Sequence, residues 1–328
     1  MKMKMKTTPF FSICIPAFEQ TYFLKQTLDS IKIQEFSDYE IILSDDSYSD
    51  RVEELVKTYD FNGKLSYYRQ KPALGSPENW NFTMQQARGT WIKILHHDDS
   101  LFDKNTLSDL FQVAQKTDKH WIVGAPVQPP PPINRFCTIF YPRGLNLLKS
   151  YPGILGFGNC IDVPSVLLVK RTCEISYNKN LIWLVDIDYY LRLIEKFGFF
   201  EYLPKPIIWR NVGGHNLSHQ YQHEPNAELN ELFSLYKSFP DKFPWFLSLI
   251  ISAKLIRICS IWGITHRNQL EKLDWEYAPF WVKAYFDISL RPGLQRLLVF
   301  ICKVMLIFVN KNLSAFLMKR IQIMTKIP

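Results

Sequence analysis

A chain of 328 residues, 47% hydrophobic and 21% charged, can bury a sizeable core and falls outside the disordered class. Its net charge of +8 is unevenly placed: residues 1–239 hold 26 Lys/Arg against 26 Asp/Glu, whereas residues 240–328 hold 13 against 5. The six cysteines are scattered and no pair has CxxC spacing, which argues against a zinc or redox motif and fits a reducing compartment.

Met1–Lys6 is basic, but the apolar run after it is too short for a signal peptide. Phe10–Ile15 reads as a strand ended by Pro16. Thr21 can cap a helix whose stripe is Leu24, Leu28 and Ile31. Tyr39–Leu43 is a second strand, stopped by Ser44-Asp45-Asp46-Ser47, and Asp50 can cap a helix with Val52, Leu55, Val56 and Tyr59 inward. Lys64–Tyr68 is a third strand, residues 77–88 a helix ending before Gly89, and Trp91–Leu95 a fourth strand. This βαβαβαβ pattern predicts a parallel sheet with right-handed crossovers. With strand order 3-2-1-4, Pro16–Glu19 and His96–Asp99 would face each other across the crevice where open α/β sheets bind ligands.

A helix over 103–116 and strands at Trp121–Gly124, Val166–Val169 and Pro206–Trp209 follow, with a helix over 184–197. Pro126–Pro132 is a stiff loop, a spacer or a substrate-contacting lid. Trp245–Ile264 and Leu297–Val309 are apolar, yet Lys254, Arg257 and Lys303 interrupt them, so neither is a clean membrane span. Arg296, Lys303 and Asn310 recur every seven residues as one polar stripe. Such a helix can lie in a bilayer interface or pack on protein. The basic excess of this region favours an anionic surface as partner.

The most informative residues are His96-His97-Asp98-Asp99, which end the fourth strand. Adjacent carboxylates at a strand end are costly unless something cationic meets them. They suit a hard divalent ion holding a diphosphate, and a strand-ending turn is the plain structural alternative. Two further acidic clusters, Asp45-Asp46 and Asp186/Asp188, have similar settings.

The ordered set Ser12–Phe18, Ile42–Asp50, Gly75–Asn81, Ala87–Gly89 and Ile92–Asp99 resembles family 2 glycosyltransferases of the GT-A fold. Val185–Leu193 resembles that family's later acidic motif, so the resemblance covers roughly residues 10–220. It implies a GT-A type, Rossmann-like, mostly parallel α/β sheet with helices on both faces. It also implies a nucleotide-sugar donor of UDP, dTDP or GDP type, a divalent ion (Mn²⁺ or Mg²⁺) and a general base.

On this resemblance Pro16, Ala17, Phe18, Glu19, Asp45, Asp46, Asn79 and Asp98 line the nucleotide site. Asp46 is favoured for the base, with an Asx-turn expected for one of Asp45 and Asp46. Phe18 can stack on the base or pack in the core. Asp98 and Asp99 correspond to the DXD motif, Asp99 chiefly on the metal and Asp98 on the ribose or metal. His96 and His97 depart from that motif and are expected to be structural, although a histidine can ligate Mn²⁺. Asp186 aligns with the expected base, although Val185 replaces its acidic partner and helix charge compensation is the alternative. Asp188 lies about 200° round the same helix and cannot serve the same site. His215, after paired glycines, could touch the diphosphate or the metal, or lie in an ordinary loop.

The expected organisation is a catalytic domain over residues 1–239 and a helical, basic, apolar appendage over 240–328. The expected acceptor is a glycan or lipid-linked glycan at the cytoplasmic face of the inner membrane, with no nucleic acid as partner. A nucleotidyltransferase is the rival enzyme, but Pro16–Thr21 has neither the Gly nor the Lys of its phosphate loop. A non-catalytic, membrane-associated scaffold is the other alternative.

Overall fold

The computed structural model describes residues 8–127, 143–156, 158–211, 225–264, 266–269, 275 and 278–287. The chain divides into two compact units. Met1–Cys137, Ile161–Asn180 and Arg192–Gly214 form the first, and Thr138–Cys160, Leu181–Leu191 and His215–Pro328 the second.

In the first unit the apolar runs become buried strands. They are β1 (Phe11–Ala17), β2 (Tyr39–Asp45), β3 (Leu65–Arg69) and β4 (Trp91–Ile94). Every residue of β1, β2 and β4 is buried, as expected for strands covered on both faces. Their crossovers are α1 (Thr21–Lys32), α2 (Arg51–Lys57) and α3 (Glu78–Gln85). Leu24, Leu28 and Ile31 of α1 are fully buried, the stripe its spacing predicts. Its cap is Gln20 rather than Thr21, because the Gln20 side chain accepts the Tyr22 amide. Asp50 precedes α2 without a side-chain cap bond.

The sheet continues through β5 (Asp99–Leu101), β6 (Trp121–Val127), β7 (Leu167–Lys170) and β8 (Glu201–Arg210), with α4 (Thr106–Lys116) between β5 and β6. The strand order is β3-β2-β1-β4-β7-β6-β8-β5. The first four strands are parallel in the expected order, whereas β7 is antiparallel to both β4 and β6, and β5 to β8. The sheet is therefore mixed.

One motif of the sequence has a structural cause. The buried Glu40 carboxylate accepts the Ser12 hydroxyl at 2.7 Å, the Arg88 amide at 2.7 Å and the Arg88 guanidinium at 2.5 Å. Burial alone would raise this carboxyl, yet these donors hold it below its usual range. Gly89 then donates to Ser12 Oγ at 2.8 Å, and a Cβ at position 89 would stand 2.7 Å from the Ser12 nitrogen. Backbone cannot yield as a flexible side chain can. Gly89→Ala should therefore cost about 1–3 kcal/mol, read as a lowered denaturation midpoint with unchanged slope.

The second unit holds α5 (Arg143–Ser150), the start of α6 (Val185–Phe197), α7 (Pro225–Ser238), α8 (Trp245–Ile261) and α9 (Phe280–Asp287). Helix α8 is the first apolar stretch of the tail. Leu247, Ile251, Leu255, Ile256 and Cys259 along it are buried, and Lys254 pairs with Glu228 of α7 at 3.3 Å. These positions of α8 are therefore covered by protein. No helix among the described residues is long and apolar enough to cross a membrane. Leu297–Val309 and its polar stripe, Met1–Lys6 and most of the Pro126–Pro132 loop lie outside the described residues. Cys14, Cys160, Cys173 and Cys259 are free thiols.

Candidate active site

The sheet order reverses direction at β1, whose neighbours are β2 and β4, and the C-terminal ends of these strands carry most of the candidate residues. His97 Nδ1 lies 3.1 Å from the Pro16 carbonyl oxygen, which joins the two loops expected to face each other. The Asp46 amide donates to Ala17 O at 2.9 Å. Asn79 is buried, and its Nδ2 reaches Ser44 O at 3.2 Å and Ala17 O at 3.5 Å. Pro16, Ala17, Asp45, Asp46, Asn79 and His97 are thus brought together.

The two aspartates after β2 differ. Asp45 is fully buried; its Oδ1 accepts the Ser47 amide at 2.9 Å, the Asx-turn expected of one of the pair. Its Oδ2 takes the Tyr67 hydroxyl at 2.7 Å and Arg69 at 3.1 Å. Asp46 instead accepts the amides of Leu74 and Gly75, at 2.6 and 2.7 Å, and so fixes the following loop. Phe18 is 45% exposed and meets Tyr48 edge to face at 5.8 Å, so it is not a core residue.

Glu19 sits in the left-handed region with φ 52° and ties the β1 loop to the β2 loop. Its carboxylate accepts the Ser49 hydroxyl at 2.5 Å and the amides of Tyr48 and Ser49 at 2.8 and 3.0 Å. These bonds, the Ser49 hydroxyl first, pull the Glu19 carboxyl down to about 2. The folded value lies below the unfolded one, so this stabilisation is full above the ordinary glutamate value and fades as pH falls toward 2. Glu19→Gln should lower stability by about 1 kcal/mol at pH 7. The gap to wild type should narrow steadily in melts taken from about pH 5 downward.

The acidic cluster lies where β4 ends. A ring nitrogen of His96 and a carboxylate oxygen from each of Asp98 and Asp99 all lie within 4.8 Å of one another. Asp99 is 3% exposed and opens β5 opposite Arg210 of β8. Burial, reinforced by Asp98, pushes its carboxyl well up, while the Ser165 hydroxyl and Arg210 oppose that shift. His96 Nε2 is buried with no hydrogen-bond partner among the described residues, and burial pushes the imidazole down to about 4. A neutral imidazole beside two carboxylates, one of them buried, is a donor set that fits a divalent cation. His97 is the histidine with a structural bond; His96, also expected to be structural, shows none from its Nε2.

Several supporting residues carry little or no sequence signal of their own. Ser165 is buried and accepts the His96 amide at 2.9 Å, while its carbonyl accepts from Lys93 Nζ. Lys93 is a fully buried ammonium inside β4, which burial pushes down to about 7 against the pull of Asp99. A charge inside an otherwise apolar strand was its only visible mark. Asp162, 3% exposed, pairs with Arg210 at 3.2 Å.

Asp186 stands in the first turn of α6, in the second unit. Its carboxylate accepts Asn159 Nδ2 at 2.5 Å and the Ile187 amide at 2.9 Å. The segment leading into α6 is pinned by Glu231 of α7, which accepts the amides of Ile182, Trp183 and Leu184 at 2.6, 2.8 and 2.6 Å. Burial raises the Glu231 carboxyl despite these three donors. Asp188 is 5% exposed, whereas Asp186 is partly open. His215 and its loop lie outside the described residues.

Residues 12–136 match the family model of Glycosyl transferase family 2. The chain is 32% identical over 114 residues to GalNAc(5)-diNAcBac-PP-undecaprenol beta-1,3-glucosyltransferase of Campylobacter jejuni, 34% of this chain and 37% of that protein. It is 32% identical over 101 residues to the PGL/p-HBAD biosynthesis glycosyltransferase of Mycobacterium bovis, 30% of this chain and 40% of that one. The chain thus spans well under two thirds of the length of these curated relatives. Among solved structures, Staphylococcus aureus TarS 1-349 in complex with UDP-GlcNAc superposes with a TM-score of 0.58 at 15% identity, over 88% of this chain and 87% of that one. Mannosyltransferase PcManGT from Pyrobaculum calidifontis, in complex with GDP-Man and Mn2+, gives 0.54 at 13%, over 96% and 86%. Residues 12–136 of this chain thus match the glycosyl transferase family 2 model, and the fold around them is that of the GT-A glycosyltransferases.

Proposed function

We propose that this chain is a metal-dependent, inverting glycosyltransferase. It moves a sugar from a nucleotide-sugar donor of UDP, dTDP or GDP type to a hydroxyl of a glycan acceptor carried on a lipid, in cell-surface polysaccharide synthesis. The observation that carries this reading is the buried Asp99 beside Asp98 and His96 at the end of β4, within a family 2 domain. A divalent ion bound there would offset the charge of the departing diphosphate. Asp99 holds the ion, and Asp98 the ion or the ribose. Asp46 and the exposed Phe18 address the base, the first by a carboxylate acceptor and the second by stacking. Pro16, Ala17, Glu19, Asp45 and Asn79 shape the loops around it. Asp186 takes the proton from the acceptor hydroxyl as that hydroxyl displaces the nucleotide; His215 is assigned to the diphosphate by the family resemblance alone. One displacement, with one base, inverts the anomeric centre. The ligands named for TarS and PcManGT, a UDP-sugar in one and a GDP-sugar with Mn2+ in the other, support the donor class and the ion.

The test is a thermal-shift panel of UDP, dTDP, GDP and CMP with Mn²⁺, Mg²⁺ or EDTA. A nucleotide at a hundredfold its Kd stabilises by about 2.7 kcal/mol. One nucleotide class should raise the melting temperature, and only with metal. No shift with any nucleotide in any metal would reject the transferase reading.

The lipid part rests on the basic excess of residues 240–328 and on the undecaprenol-linked glycan in the name of the Campylobacter jejuni relative. It places the protein peripherally on the cytoplasmic face of the inner membrane, with residues 1–239 for donor binding and catalysis and 240–328 for attachment. Full-length chain should co-sediment with anionic vesicles in low salt and be released as salt screens the attraction. Equal partition at low and high salt, or none at all, would remove the anionic surface from this reading.

A further inference from the structure

Two histidines precede the acidic pair, and the structure separates them. His97 turns its Nδ1 to the Pro16 carbonyl oxygen at 3.1 Å, so that ring ties two loops together. His96 has a buried Nε2 with no partner among the described residues. Its ring lies against Trp80, with centroids 4.5 Å apart, and its amide is fixed by Ser165 Oγ at 2.9 Å. Ring and backbone are thus both held, while Nε2 has no partner among the described residues. A buried nitrogen without a partner is a cost that a bound ion would offset. The ring nitrogen nearest the cluster stands within 4.8 Å of carboxylate oxygens from Asp98 and Asp99, the spacing of groups that share one ion.

We infer that His96 is a direct ligand of the divalent ion, completing a nitrogen-and-two-carboxylate set with Asp98 and Asp99. This rests on the metal-dependent reading above and deepens it. Mg²⁺ prefers an all-oxygen shell, whereas imidazole suits transition ions. An imidazole in the set therefore makes this site choose Mn²⁺ over Mg²⁺. The surroundings of His96 serve the same end. Ser165 reaches both His96 and Asp99, and its carbonyl is in turn held by the Lys93 ammonium, so one buried residue orients two ligands.

The experiment is pulsed electron paramagnetic resonance of Mn²⁺ on the full chain, with Mn²⁺ alone and with Mn²⁺ plus UDP. Wild type should show nitrogen modulation from a coordinated imidazole, altered when histidine is labelled with ¹⁵N. The modulation should survive in His97→Gln and vanish in His96→Gln. In His96→Gln the preference for Mn²⁺ over Mg²⁺ should fall by about tenfold. His96→Asn gives the same reading from a shorter polar side chain should the glutamine variant fold poorly.

Mn²⁺ bound in an Asp99-dependent way without a histidine nitrogen would overturn the inference and leave the transferase reading intact. Modulation that persists in both His96 variants would overturn it too, by placing another histidine on the ion. A chain that binds no Mn²⁺ in either condition would overturn it together with the metal dependence proposed above.

Discussion

Asp99→Asn should abolish metal-supported nucleotide stabilisation and lower glycosyl transfer by about a thousandfold, while leaving the metal-free protein at least as stable as wild type. Asp99 is 3% exposed, and burial with Asp98 pushes its carboxyl well above the ordinary range. Without a cation, a folded chain at neutral pH holds a carboxyl that would sooner be neutral. Asparagine keeps the shape and removes that cost. The backbone of the turn is held independently, since Thr27 Oγ1 lies 2.7 Å from Asp99 O and 3.0 Å from His97 O and can donate its one proton to either.

The pH dependence follows from the direction of the shift. The folded carboxyl holds its proton to higher pH than the unfolded one does. Wild type in EDTA should therefore lose stability as pH rises from about 4 through neutrality, and Asp99→Asn should lose less. With Mn²⁺ and the nucleotide the ranking should reverse. Melts of both proteins in EDTA and in Mn²⁺, across pH, check this. A variant that melts well below wild type in EDTA would mean that Asp99 is a structural residue.

Periodicity and run length made the first half of the fold legible. Strands buried on both faces read as continuous apolar runs, and the stripe of α1 fell on Leu24, Leu28 and Ile31. Strand direction beyond β4 was not legible, because pairing is a long-range property. Nothing local tells that Leu167–Lys170 runs antiparallel to β4, or that Glu201–Arg210 extends past Pro204 and Pro206 where its register against β6 shifts. Strand β5 is only Asp-Ser-Leu, with no strand signal of its own; its conformation comes from pairing with Arg210, Trp209 and Ile208.

The candidate site divides in the same way. Its acidic residues announced themselves by type and position. Their supports, Ser165, Lys93, Arg210 and Glu231, did not, since each acts through a partner distant in the chain. Asp45 and Asp46 are adjacent in sequence, yet one closes an Asx-turn and the other holds the amides of Leu74 and Gly75. No spacing rule separates those roles.

Asp186→Asn is the complementary experiment, and it probes chemistry rather than binding. A general base contributes about 10²–10⁴-fold in rate, so kcat should fall by that factor. Nucleotide and metal should still raise the melting temperature of the variant as they do for wild type. Asparagine is nearly isosteric and can still accept the Ile187 amide, now at 2.9 Å, so α6 should start where it does in wild type. The lead-in to that helix is secured separately by Glu231. Asp188→Asn is the contrasting variant: that side chain is 5% exposed, so its loss should be read in stability before turnover. The structural alternative for Asp186 is charge compensation at the start of α6, which makes the opposite forecast. Removing one charge there costs about 0.3–1 kcal/mol of stability and leaves turnover alone. A large fall in kcat with donor binding and melting temperature intact assigns Asp186 to the proton transfer; unchanged turnover with a small loss of stability assigns it to the helix.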